Sequence, residues 1–406
     1  MSFLSLFTRN RQEVDLILDI GSGSVGAALV VVGKDSVPSV VYTVRKDIGF
    51  QKRLDPKRLP ILLTDALISL LSVVVKDGMK HLRFTQSGMG AIRDVHIHLA
   101  SPWYVSHTKT ITIKKEVPFE VTRQVLRSHI QEEQQALISS LPAHEGQFEE
   151  GIRPVEHSVI KLLLNGYETA VPFGKMAKEL CLSVYVSLMP ETIAQVIETA
   201  IYSTFHPRKI QFHSFGMSAF TSIRSLYPES NDFVFLDFGS EVSELFLVRR
   251  GAFADGVSVP CGKHSFVRMV AQDLAVDESV ALSSIRLVTS KQADPSAQAR
   301  MSSSFARIKE EWLAHLSVAL DLLDKEVSLP ETVYVTADAD MLPLIAEYGK
   351  ELSVASLGQQ WHPMHRVVSV SDILPYVHFS VGITTDIFLG LEVLSVYHQG
   401  DALENA

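Results

Sequence analysis

Two short runs of this 406-residue chain carry the residue types that hold phosphate. Asp19, Gly21, Ser22, Gly23 and Ser24 lie in LDIGSGSVG, and Asp237, Gly239 and Ser240 lie in FLDFGSEVS. In both, an aspartate is followed two residues later by Gly-Ser. Glycines let a backbone bend until successive N–H groups converge on one point, and serine hydroxyls add donors. A carboxylate at the edge of such a turn holds Mg²⁺ through water beside a phosphate, which makes Asp19 and Asp237 the candidate metal holders. One Gly/Ser turn between apolar runs reads only as a hairpin. Its repetition is the signal.

The elements that must position these turns are strands. Val14–Val32 alternates apolar residues up to Asp19 and then runs apolar after Ser24, a strand-turn-strand pattern. From Asp232 the pattern recurs, with a second turn at Arg249–Gly251 and a third strand. Leu59–Val75 repeats as a buried helix and is broken by Asp65, Ser69 and Ser72, so it is not read as a membrane span. Between the two repeats, strands are expected at Thr108–Lys114, Glu156–Leu164, Tyr167–Pro172 and Glu179–Val186, with Asn165-Gly166 as a hairpin turn. Charged helices are expected at Phe119–Ile138 and Glu191–Phe205, and a strand at Lys209–His213. The second half reads as helices at His264–Leu274, Ser279–Thr289 and Ser296–Lys325, a strand at Thr332–Thr336 and a helix at Met341–Tyr348. A short strand at Val367–Val370 and an apolar helix at Ile383–Tyr397 complete it.

Composition narrows the function classes. Net charge is −9 with a pI near 5.9, which argues against a general nucleic-acid binder because phosphate backbones require a basic surface. Cys181 and Cys261 are far apart without ligand-type spacing and read as reduced thiols of a cytoplasmic protein. His96 and His98 share one strand face, and Trp361, His362 and His365 cluster, yet neither set has an acidic or cysteine partner at metal spacing. Arg45–Arg58 is rich in basic residues and reads as a solvated connection without a site. Residues 1–11, MSFLSLFTRNR, combine Phe3, Leu4, Leu6 and Phe7 with Arg9 and Arg11. They read either as a peripheral membrane contact or as a docked tail.

Taken together, these motifs resemble the actin-like ATPase superfamily, and within it the bacterial cell-division protein FtsA and the type IV pilus protein PilM. The first run looks like the family's first phosphate motif and FLDFGSEVSELFLV like the second. VYVTADADM lies where the family has its adenosine motif, which brings in Thr336 and Ala337. LASPWYV, HSVIKLLLNGY and CLSVYVSLMPETIAQVIETA are similar to the family's extra subdomain. The resemblance implies an α/β, duplicated actin-like (ribonuclease H-like) fold, two lobes around a nucleotide cleft, with a small strand-helix-strand insert in the first lobe. The expected parts are 1–94, 190–230 and 379–406 as the first lobe, 95–189 as the insert and 231–378 as the second lobe, with 262–330 its helical subdomain.

ATP with Mg²⁺ is the implied ligand. Glu241, Asp338 and Asp340 depart from the family's glycine-rich pattern and set negative charge against a phosphate. At about 4 Å and an effective dielectric near 20, one such carboxylate costs roughly 4 kcal/mol. A cleft that has lost its nucleotide and one that works both remain open, and the residues point to no catalytic base. The leading expectation is an FtsA-type cytoplasmic scaffold in cell division, joining a filament protein such as FtsZ, with self-association in the same scope. The alternative is a PilM-type platform that docks the cytoplasmic tail of a pilus membrane protein. A small-molecule kinase is the third reading. The polar, acidic HQGDALENA ending lacks the basic amphipathic helix of FtsA.

Overall fold

Asp19 stands at the end of a strand, as its motif requires. In the computed structural model, which describes residues 13–32, 37–85, 91–141, 151–169, 171–323, 329–351 and 361–397, the first turn joins β1 (Glu13–Ile20) to β2 (Ser24–Val32). Asp19 pairs across this hairpin with Gly26. Residues 1–11, read from sequence as a membrane contact or docked tail, lie outside the described residues. β3 (Ser39–Asp47) adds antiparallel to β2. The apolar run after it forms α1 (Leu59–Val73), passes through a π-helical turn at Val74–Gly78 and continues as α2 (Met79–Thr85). Gly78 permits that packing, since a Cβ there would lie 2.9 Å from the Tyr42 ring. Leu59–Leu82 is long and apolar enough to cross a membrane by length and composition. Here it lies along the first sheet, with Leu63, Leu67, Leu70, Leu71 and Val74 buried and Ile61, Ile68 and Val75 facing outward.

β4 (Ile92–Leu99) then runs parallel to β1. The insert follows as β5 (Val105–Glu120), α3 (Arg123–Ser140), β6 (Ile152–Leu164), β7 (Tyr167–Glu168) and β8 (Met176–Pro190), in sheet order β5-β8-β6-β7. Thr122 caps α3 by accepting from Val125 N–H at 3.3 Å. Asn165 and Gly166 have φ of 50° and 86°, the left-handed pair that a two-residue hairpin of matching twist demands. The sheet and α3 enclose their own core, including Val121, Leu126, Ile130, Leu162, Leu180 and Leu182. The boundary expected at Val95 cuts through β4, which belongs to the first sheet between β1 and β9. The sheet of the insert starts at Val105.

The chain returns through α4 (Glu191–Thr204), β9 (Lys209–Ser214) and α5 (Phe215–Leu226). The second half contains β10 (Phe233–Phe238), β11 (Ser243–Arg249), β12 (Ala252–Val259), α6 (Lys263–Leu274), α7 (Glu278–Thr289) and α8 (Pro295–Leu323). β13 (Thr332–Ala337), α9 (Leu342–Gly349), β14 (Met364–Val367), α10 (Val370–Ile373), β15 (His378–Phe379) and α11 (Ile387–Tyr397) complete it.

The two large sheets have the orders β15-β3-β2-β1-β4-β9 and β12-β11-β10-β13-β14. Setting aside β15, each is the same plan: three antiparallel strands joined by hairpins, then two parallel strands added beyond the first. Asp19 and Asp237 therefore occupy equivalent places, beside His98 of β4 and Thr336 of β13.

Three sequence expectations need correction. Arg45 and Lys46 belong to β3 rather than to a solvated connection, because they pair across the sheet with Gly26 and Val25 of β2. The strand expected at Val367–Val370 is β14, ending at Val367, and Ser369 then caps α10. α5 has no counterpart in the sequence reading. It is buried nearly all round, so it lacks the polar face that marks a surface helix.

Candidate functional site

The two Asp-Gly-Ser turns meet face to face between the lobes. Asp19, Gly21, Ser22, Gly23, Ser24, Asp237, Gly239 and Ser240 line one cavity, joined by Arg45, Ser101, Phe215, Glu244, Asp338 and Phe388. The cavity measures about 40 Å³, well below the roughly 300 Å³ at which ligand pockets begin. It has room for a few water molecules.

The first turn is held from within. Gly21 N–H donates to Ser24 O at 3.0 Å, Trp103 Nε1–H to Gly21 O at 2.8 Å and Ile48 N–H to Gly23 O at 2.8 Å. The second turn rests on the start of α6: Lys263 N–H donates to Gly239 O at 3.0 Å and His264 N–H to Ser240 O at 2.8 Å. Gly262 allows this approach, since a Cβ there would sit 2.5 Å from Gly239 O. Free amides at a helix N-terminus are an anion site. Two of those of α6 are spent on the second turn. Between the turns, Glu241 N–H donates to Ser22 Oγ at 2.9 Å, and a Cβ on Gly23 would overlap Ser240.

Both expected metal holders have other partners. Asp19 faces Arg45 Nη1 at 2.7 Å, and the Arg45 Nε–H also donates to Asp386 at 2.7 Å and Nη1–H to Ser24 Oγ at 2.9 Å. Burial raises the Asp19 carboxyl above its usual range despite Arg45. Beside it, the fully buried Glu392 is pushed well up by burial and by Asp19. Asp237 accepts from the Thr336 hydroxyl at 2.7 Å, and burial pushes its carboxyl well up too. Thr336 and Ala337 do not line the cavity: the first is spent on Asp237, and the second is buried in the second-lobe core. Among the described residues no group of three or more His, Cys, Asp or Glu is arranged to hold a metal.

The negative charge expected to repel a phosphate is compensated instead. Glu241 turns away from the cavity into an ion pair with Arg268, Oε2 to Nη2 at 2.5 Å, and meets His264 Nδ1 at 2.9 Å. Burial alone would raise its carboxyl, but His264 and Arg268 hold it below the usual range. Lys263 Nζ binds Asp338 at 2.8 Å and Asp340 at 2.9 Å, and Arg286 adds a bond to Asp340 at 2.8 Å. The obstacle to a phosphate is occupied space and spent donors. ATP with Mg²⁺ does not fit between turns that touch.

A strap from the first lobe covers the joint. Phe50 lies edge-on to the His264 ring at 5.0 Å, the Arg268 guanidinium stacks 5.8 Å from the Phe50 centroid, and Arg268 Nη1–H donates to Gln51 O at 3.3 Å. On the far side Glu244 accepts from Ser101 N–H at 3.1 Å, Ser101 Oγ–H at 2.8 Å and Tyr104 O–H at 2.9 Å. Arg45, Glu244 and Arg268 were missed from sequence. Arg45 gave a signal, as the first residue of the basic segment, but its partners are 26 and 341 residues away in the chain.

A second concavity, of about 1050 Å³, lies between the insert and the first sheet. Arg127 and Gln131 of α3, Val155 and His157 of β6, and Lys209 and Phe212 of β9 line it. β9 ends its sheet, so one of its backbone edges has no strand partner within that sheet.

No family model matches this sequence, and no curated protein sequence matches it. Solved structures do. A chain of the PilM-PilN type IV pilus biogenesis complex superposes with a TM-score of 0.59 at 14% identity, over 94% of this chain and 98% of that one. The ethanolamine utilization protein EutJ from Carboxydothermus hydrogenoformans gives 0.43 at 11% identity, covering 97% and 94%. A Bacteroides thetaiotaomicron protein with an actin-like ATPase fold gives 0.41 at 9%, covering 95% and 97%. The repeated sheet order and the likeness to the PilM-PilN chain give the fold: two lobes of one sheet plan, as in an actin-like fold.

Proposed function

We propose, for an actin-like fold whose phosphate turns close on each other, that the chain is a PilM-type platform protein of type IV pilus assembly. It would act at the cytoplasmic face of the membrane by docking the tail of a membrane protein. The likeness to a chain of the PilM-PilN complex over nearly the whole length of both is the observation that carries this reading. It supports the pilus role over the FtsA-type division scaffold that led the sequence reading. The sealed cleft weighs against a small-molecule kinase, which must admit both a nucleotide and a second substrate.

The groove beside β9 is the physical counterpart of such docking. An extended peptide gains affinity by pairing with a free strand edge and specificity by seating alternate side chains in pockets. Here the edge belongs to β9, and Ile210 and Phe212 supply apolar seats next to Lys209. Titrating the full chain with a synthetic peptide of the cytoplasmic tail of the PilN-type protein from the same genome tests this. Saturable binding that Phe212→Ala weakens about tenfold, or 1.4 kcal/mol, is the expected result. No binding of that peptide, or binding indifferent to Phe212 and Lys209 changes, removes the reading.

A further inference from the structure

The place where an actin-like protein would hold a nucleotide is occupied here by the chain's own side chains, and the cation in it is a guanidinium. Arg45 reaches from β3 to the strand-end carboxylate Asp19 and to Asp386 just before α11, both at 2.7 Å, and it also binds the turn serine Ser24. Asp19, the carboxylate that the first phosphate motif would offer to Mg²⁺ through water, is neutralised by this guanidinium instead, together with Asp386. We propose that Arg45 is a built-in replacement for the divalent cation, and that the two turns form a permanent joint between the lobes rather than a nucleotide cradle.

Three independent features converge on this. Gly23 has no Cβ because Ser240 fills that space, so a nucleotide's phosphates would have to part the turns. The donors that would meet a phosphate are consumed: Glu241 N–H goes to Ser22, and the first amides of α6 go to Gly239 and Ser240. Finally, the Phe50–Gln51 strap of the first lobe meets Arg268 of the second across the same seam, and the Glu241 pairing holds Arg268 in place for it. A tethered guanidinium gives one N–H to each of the two carboxylates and keeps its charge at any ordinary pH. Nothing has to be bound for the lobes to stay shut. This inference stands apart from the pilus reading, since a platform protein with a working ATP site would satisfy the one and refute the other.

Thermal unfolding of the full chain, with and without Mg²⁺ and ATP, provides the test. For the unmodified protein, roughly 10 mM Mg²⁺ alone or with roughly 1 mM ATP is expected to leave Tm unchanged, because only a ligand of the native state shifts it. Arg45→Met deletes the cation while keeping most of the volume, leaving the carboxylates facing one another. Its Tm should fall, and Mg²⁺ should restore several degrees of it. Arg45→Lys keeps a charge at the site and should remain indifferent to Mg²⁺. A rise of more than about 2 °C for the unmodified chain with Mg²⁺ and ATP overturns the proposal. So does an Arg45→Met protein that folds and does not respond to Mg²⁺. Should Arg45→Met not fold, the nucleotide response of the unmodified chain and the Mg²⁺ response of Arg45→Lys still decide.

Discussion

Gly23 and Ser240 illustrate how a single missing carbon sets the distance between two lobes. A methyl group on Gly23 would overlap Ser240 and come within 3.1 Å of the His264 ring, so the turns would have to separate. Overpacking of this kind costs about 1–3 kcal/mol. Gly23→Ala should therefore lower stability in urea by that amount, and Ser240→Gly in the same chain should recover much of it. Additive losses in the double-mutant cycle would mean that the two residues do not press on each other. The aspartates and the Gly/Ser turns were legible from sequence because their chemistry is local and was stated twice. Arg45 was not, because the strand that aims it at Asp19 is joined to β1 only through β2. Glu241 was legible as a charge but not as a paired one, since Arg268 lies on a helix whose packing no local pattern specifies.

Strand alternation in β4 has a consequence beyond the sheet. It points His96 and His98 to one side, where their rings stack on His213 of β9 at 5.5 and 4.8 Å. His98 Nδ1 meets Ser218 Oγ of α5 at 2.8 Å. Burial, followed by the neighbouring His213, pulls His96 down to about 3 and His98 well below its usual value. Unfolded histidines titrate near 6.5, so below that pH the unfolded chain binds protons that the native chain refuses. Stability supplied by these rings is present above pH 6.5 and is lost as pH falls through it, by about 1.4 kcal/mol per ring at pH 5.5. Buried acids such as Glu392, raised by their surroundings, act in the opposite direction. The measurable quantity is thus a difference: His96→Gln should flatten the decline in Tm between pH 7 and 5.5 relative to the unmodified chain. Parallel pH curves would exclude it. Strands, the Asn165-Gly166 hairpin and the long helices were readable because period and turn chemistry agreed. α5 was not, for it presents Ser218 and Ser222 to the interior, where the Ser222 hydroxyl donates to Leu391 O at 2.6 Å.

At the scale of the molecule, the insert is both self-contained and attached. It has its own core, yet Tyr185 of β8 bonds the Ser214 hydroxyl at 2.6 Å and packs edge-on to Phe253 of β12, and Glu156 of β6 accepts from Ser214 N–H at 2.7 Å. Removing residues 105–189 and rejoining the ends should leave a protein that still melts cooperatively, because β4 and β9 remain paired to each other. Its Tm should be lower, since Ser214 loses both partners and Phe253 is uncovered. Loss of any cooperative transition would show that the insert is part of the main core. The duplication of the fold was legible only through the repeated Asp-Gly-Ser turn; the matching sheet orders rest on parallel pairings between distant strands. The Tyr397 hydroxyl, on the last turn of α11, donates to Asp15 near the start of β1 at 2.6 Å. The first strand and the last helix of the described residues are thus tied to each other across a separation of 382 positions, so loosening either one loosens the same edge of the first lobe.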